Sequence, residues 1–233
     1  MEYVKFKPWK GDNYEGRFLG KKLLILGDSH YCAKDENRND ACRSKGDCSY
    51  DCMNERCYKM TYDLIRGEYM EYRSGRAKSA GHLQTILTFE KNLFGYTPSP
   101  QESLNFWNSV IFYNYIQHSQ HQPRERRKTN AEEIGDYREA FREVLAEYKP
   151  DYIIIWSKFL FTKDWLPNGA PESPDYTLKA EYNGVIYDTP VRTFKLDSGE
   201  LIPAIIIQHP CCRFGKDQTK WHSLLKAFLK LDD

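Results

Sequence analysis

No stretch of this chain is long and apolar enough to read as a membrane span, and Met1 to Trp9 lack the apolar centre of a secretory signal. Both absences point to a cytoplasmic protein with no membrane partner. In that compartment its seven Cys are expected as thiols or metal ligands rather than disulfides. Charge of one sign is missing too: 34 Lys and Arg stand against 33 Asp and Glu, a formal net charge of +1. No global field therefore draws the chain to nucleic acid. Such contact would rest on local patches, such as Arg124, Arg126, Arg127 and Lys128, and a solvated loop is the plainer reading of that run. Internal repeats and linker-like composition shifts are absent, so the 233 residues read as a single domain, expected as a monomer.

What is present is an ordinary globular share of apolar residues, 40%, together with 17 Tyr. Residues 22–26, an apolar run broken by Gly27, read as a buried parallel strand. Asp28, Ser29, His30 and Tyr31 follow at once, at the end of the strand where open α/β sheets place ligands. Ile205-Ile206-Ile207-Gln208-His209-Pro210 repeats that design near the other end of the chain. Between them, Cys32 to Cys57 reads as a polar insertion. Helical spacing runs over Met60 to Met70 and Ala80 to Leu93, followed by a turn at Gly95 to Pro100. Ser103 to Trp107 reads as the approach to a strand at Val110 to Tyr115, and Gln117 to Asn130 as a polar loop.

Ala131 to Tyr148 is an amphipathic helix, with Thr129 or Asn130 as N-cap and Pro150 as its stop. Tyr152 to Trp156 is another buried strand. Tyr182-Asn183-Gly184-Val185 and Asp197-Ser198-Gly199-Glu200 carry hairpin signals, and Asp217 to Leu231 closes the chain as a helix. This order predicts a three-layer α/β/α domain with a central, mostly parallel sheet, a β-hairpin and the Cys-rich insertion.

Three segments, in order, resemble the uracil-DNA glycosylase superfamily. Leu23 to Tyr31 resembles its first motif, a strand, a glycine and a polar turn. Val110-Ile111-Phe112-Tyr113-Asn114-Tyr115 is similar to its central strand ending in asparagine. His209-Pro210-Cys211-Cys212-Arg213 is similar to its histidine-proline-serine loop. The chain departs from the pattern in the first motif, where His30 stands in place of a proline. In one branch the catalytic aspartate then falls on Ser29 and Tyr31 matches a tyrosine. In the iron–sulfur branch a glutamate matches Asp28, but the cysteines that hold that branch's cluster have no counterparts here, so no iron–sulfur cluster is expected.

The resemblance implies a repair enzyme that flips a nucleotide out of DNA, single- or double-stranded, and hydrolyses its N-glycosidic bond without a required cofactor. It implies Asp28 at the cationic sugar and His209 at the departing base as catalytic residues. Asn114 and Tyr31 would bind the base, and Ser29, Arg213 and Phe214 would contact DNA. Five of them have a plainer alternative. Asp28 and Ser29 suit a turn, Asn114 a strand end, His209 a backbone-satisfied turn, and Tyr31 a core position.

Cys42, Cys48, Cys52 and Cys57 could hold a structural zinc, although no Cys-x-x-Cys knuckle is present; free thiols are the alternative. Two other functions remain. One is a Gly-Asp-Ser hydrolase with Ser29 as nucleophile and His209 as base. Such an enzyme usually has an aspartate two or three residues before its late histidine, and Ile206-Ile207-Gln208 offers none. The other is a glycosylase fold that binds nucleic acid without catalysis.

Overall fold

The structure, a computed structural model, describes residues 1–30, 55–120, 129–211 and 219–231. It is an α/β fold built on a seven-stranded mixed sheet. The strands are β1 (Trp9–Lys10), β2 (Leu23–Gly27), β3 (Val110–Asn114), β4 (Tyr152–Ile155), β5 (Tyr176–Tyr182), β6 (Val185–Lys195) and β7 (Leu201–Ile206). Their order across the sheet is β1-β3-β2-β4-β7-β6-β5. The central four, β3, β2, β4 and β7, are parallel, while β1 and the β6–β5 side are antiparallel.

Continuous apolar runs form the central strands because both faces of the sheet are covered. Leu23, Ile25, Val110, Phe112, Ile154 and Ile205 point to one face and join one buried cluster. That face is covered by a helical run from Asp63–Met70 to Glu71–Arg73, and by three further helices. These are α1 (Gln84–Phe94), α2 (Pro100–Trp107) and, at the far end of the chain, Thr219–Leu229. Leu24, Leu26, Ile111, Tyr113, Ile153, Ile155 and Ile206 point to the other face. There they pack with α3 (Ala131–Tyr148) and the short α4 (Lys158–Thr162); Thr219–Leu229 is α5. The predicted three layers are therefore present around a mostly parallel centre.

Local chemistry fixes the element ends. Asn130, not Thr129, caps α3: its Oδ1 accepts from the Glu133 N–H at 2.9 Å, and Glu133 Oε2 accepts from the Asn130 N–H at 2.9 Å. Both residues of the Asn183-Gly184 turn have positive φ, 51° and 75°, as a tight β5–β6 hairpin requires. The two hairpins extend the main sheet rather than standing apart from it. One sequence expectation is corrected, and one strand was not anticipated. Residues 103–107 are helical, within α2, because Ser99 and Glu102 form a capping box and Pro100 occupies the first turn. A two-residue strand, β1, pairs with Phe112 and Ile111 at the sheet edge.

One buried carboxyl group links α1 to α2. Glu90 is fully buried and accepts from Ser103 Oγ and Trp107 Nε1, each at 2.7 Å. Burial raises its pKa, with the hydrogen bonds opposing that shift. Glu90→Ala strands both donors, so unfolding in denaturant should show a loss of about 3 kcal/mol. Glu90→Gln retains an acceptor of the same length and should lose about half as much. Equal losses would mean that packing, not the pair of hydrogen bonds, sets the cost.

Candidate functional site at the carboxyl ends of the parallel strands

β2, β3, β4 and β7 run in one direction, so the turns that leave them open on one edge of the sheet. Beyond the strands the chain stays zipped. Tyr115 N–H donates to Gly27 O at 3.1 Å, Ile116 N–H to Asp28 O at 3.0 Å and Gln120 N–H to His30 O at 2.7 Å. On the other side, Trp156 N–H donates to Leu26 O at 2.8 Å and Ile207 N–H to Ile155 O at 2.9 Å. Asp28, Asn114 and His209 are thereby brought to the same rim. One strand, β4, lies between β2 and β7, so the turns carrying Asp28 and His209 leave strands about 10 Å apart.

Asp28 is buried, and Ser157 Oγ donates to its Oδ2 at 3.4 Å. Ser157 also caps α4, accepting from Leu160 N–H at 3.3 Å. Ser29 is half-buried beside it; its Oγ has no hydrogen-bond partner among the described residues.

Asn114, the last residue of β3, is also buried, and its Cα is in register with Gly27. A Cβ on Gly27 would lie 2.0 Å from Asn114 Oδ1 and 3.1 Å from Phe112 Cζ. The glycine after the apolar run is thus the space into which the Asn114 amide leans. Asn114 Nδ2 donates to His30 Nε2 at 3.0 Å. That nitrogen also faces Thr61 Oγ1 at 2.7 Å. Accepting at Nε2 places the proton of the neutral ring on Nδ1. Burial lowers the His30 pKa to about 3, so the ring is neutral over the physiological range. Gln117 completes this floor: its Nε2 donates to Asn114 O at 2.7 Å, while its Oε1 accepts from Lys5 N–H at 2.9 Å and Phe6 N–H at 3.1 Å.

His209 is half-buried after β7, its ring edge-on to Trp156 at 6.4 Å between centroids. Its Nδ1 accepts the Cys211 N–H at 3.1 Å, so the neutral ring carries its proton on Nε2. This arrangement makes Nε2 a donor. It is opposite to what a serine hydrolase needs, where the carboxylate-bound Nδ1 holds the proton and Nε2 takes one from the nucleophile.

Tyr31, Arg213, Phe214, Cys42, Cys48 and Cys52 lie outside the described residues, as do the basic residues between 124 and 128. Cys57 is buried in the Glu55–Tyr58 turn. Among the described residues, no group of three or more His, Cys, Asp and Glu is placed to hold a metal ion. His30, Thr61, Gln117 and Ser157 belong to the site but were not expected from sequence. His30 sat inside the first motif, and its polar ring between a strand and an insertion was the available signal. Thr61, Gln117 and Ser157 reach the site only through tertiary packing.

The close approach at Gly27 makes a prediction. Gly27→Ala should cost about 1–3 kcal/mol in denaturant unfolding, because the new methyl displaces the Asn114 amide from His30. In an Asn114→Ala background the same change should cost far less, a coupling that a double-mutant cycle reads directly. Additive costs would show that the Asn114 amide is not what excludes a side chain at 27.

No protein-family model matches the chain, and no curated protein matches it.

Proposed function

We propose that the protein is a DNA glycosylase, releasing uracil or a related modified base from DNA. The observation that carries this reading is the Cys211 N–H on His209 Nδ1, which leaves the proton of the neutral ring on Nε2 and makes that nitrogen a donor. A departing pyrimidine takes the electron pair of the C1′–N bond, and negative charge develops on its carbonyl oxygen. A neutral imidazole donor at that oxygen stabilises the charge as it forms. Asp28 stands two strands away, and as a carboxylate it would stabilise the cationic sugar and orient the water that attacks C1′. Water supplies hydroxide to C1′, and its proton balances the anionic base. Asn114, buried at the end of β3 on the other side of β2 from His209, offers an amide that would pair with the base edge.

The test is a panel of oligonucleotides, single- and double-stranded, carrying uracil or other modified pyrimidines. Base release is read as strand cleavage at the abasic site after alkali treatment. Release of one such base supports the reading, and an intact panel overturns it.

A further inference from the structure

A second feature lies on the same rim. Lys158, the residue after Ser157, and Lys220, at the start of α5, meet over one indole ring. Their Nζ atoms lie 5.6 and 5.5 Å from the centroid of Trp221, and Lys220 Nζ also lies 5.8 Å from the Tyr187 ring. The lysines, the two rings and Asp188 line a cavity of about 260 Å³. The aromatic floor attracts both ammonium groups. Among the described residues neither Nζ has a hydrogen-bonded or ion-paired partner, so up to six N–H donors are available to the cavity. Two lysines against Asp188 leave the cavity one positive charge, equal and opposite to a single phosphodiester.

We propose that this cavity is a binding site for one backbone phosphate of a nucleic-acid strand. The proposal rests on the glycosylase reading and deepens it by naming where the strand leaves the site. Position supports it. Lys158 follows the serine that touches Asp28. Asp188 precedes Thr189, whose hydroxyl bonds to Ile206 O at the end of β7, three residues before His209. A phosphate held there fixes the backbone beside the candidate site without reading sequence.

The test measures binding of a fluorescein-labelled oligothymidylate by the full chain across a salt series. Lys158→Ala and Lys220→Ala together should weaken binding about fivefold at 0.1 M salt and flatten the slope of log K against log salt by about 0.7, the value of one single-strand phosphate. Asp188→Asn, at an exposed position, should tighten binding roughly twofold by removing the opposing charge. That gain cannot come from a misfolded variant. Binding by the wild type with neither change in slope nor a gain from Asp188→Asn overturns the phosphate cavity and leaves the glycosylase reading standing. Base release without the predicted shifts has the same meaning. Absence of both binding and base release in the wild type overturns both.

Discussion

His209→Ala is expected to slow base release by about 10²- to 10³-fold, the usual cost of removing one preorganised donor from a developing anion. The loss should fall on kcat and leave KM nearly unchanged, because the ground-state carbonyl gains little from the same N–H. Asp28→Asn should produce a loss of similar order. It retains size and an oxygen able to accept from Ser157 Oγ, so it removes charge rather than packing. Ser29→Ala should have little effect on base release. If that variant instead abolishes an ester hydrolysis that the wild type performs, Ser29 is a nucleophile and the glycosylase assignment is lost. Single-turnover excision and ester hydrolysis, measured on the three variants, together separate the two chemistries. Normal rates in both His209→Ala and Asp28→Asn would remove the roles given to those residues.

Sequence pattern located the strands that build this rim because each is a short apolar run with a polar exit. Leu23–Gly27, Val110–Asn114 and Tyr152–Ile155 are buried on both faces, so nothing in their surroundings overrides that signal. α2 was legible but misread. Its aromatic run suits a strand or a helix, and the deciding residues, Ser99, Pro100 and Glu102, lie just upstream of that run. β1 left no local trace, since a two-residue strand exists only through its pairing with Phe112 and Ile111. The site shows the same division. Asp28, Asn114 and His209 stand at strand ends and are visible as such. Their partners are not, because Ser157, Thr61 and Gln117 acquire meaning only when distant segments meet. The tautomer of His209 is likewise set by a backbone N–H two residues on, a consequence of turn geometry rather than residue type.

His30 should make the fold sensitive to acid. Its pKa is lowered from 6.5 to about 3 by burial, so between those values the unfolded chain binds a proton that the folded chain refuses. Stability contributed by the neutral buried ring is complete above pH 6.5 and is lost as pH falls toward 3. The slope approaches about 1.4 kcal/mol per pH unit, which amounts to about 3 kcal/mol by pH 4.5. Glu90 acts in the opposite sense, because its raised pKa lets the folded state hold a proton above the ordinary carboxylate range. The comparison that isolates His30 is wild type against His30→Gln, in which the Glu90 contribution is common to both. The wild type should be the more stable at pH 7.5, where its ring accepts from Asn114 Nδ2 and faces Thr61 Oγ1. The difference should shrink steadily below pH 6.5. Protonation at Nε2 would set N–H against N–H at Asn114, so base release should fail over the acid range in which the ring is forced to charge. Parallel stability curves for the two proteins from pH 7.5 to 4.5 would show that His30 titrates alike in the folded and unfolded chains, and the buried, neutral acceptor that orients Asn114 would have to be abandoned.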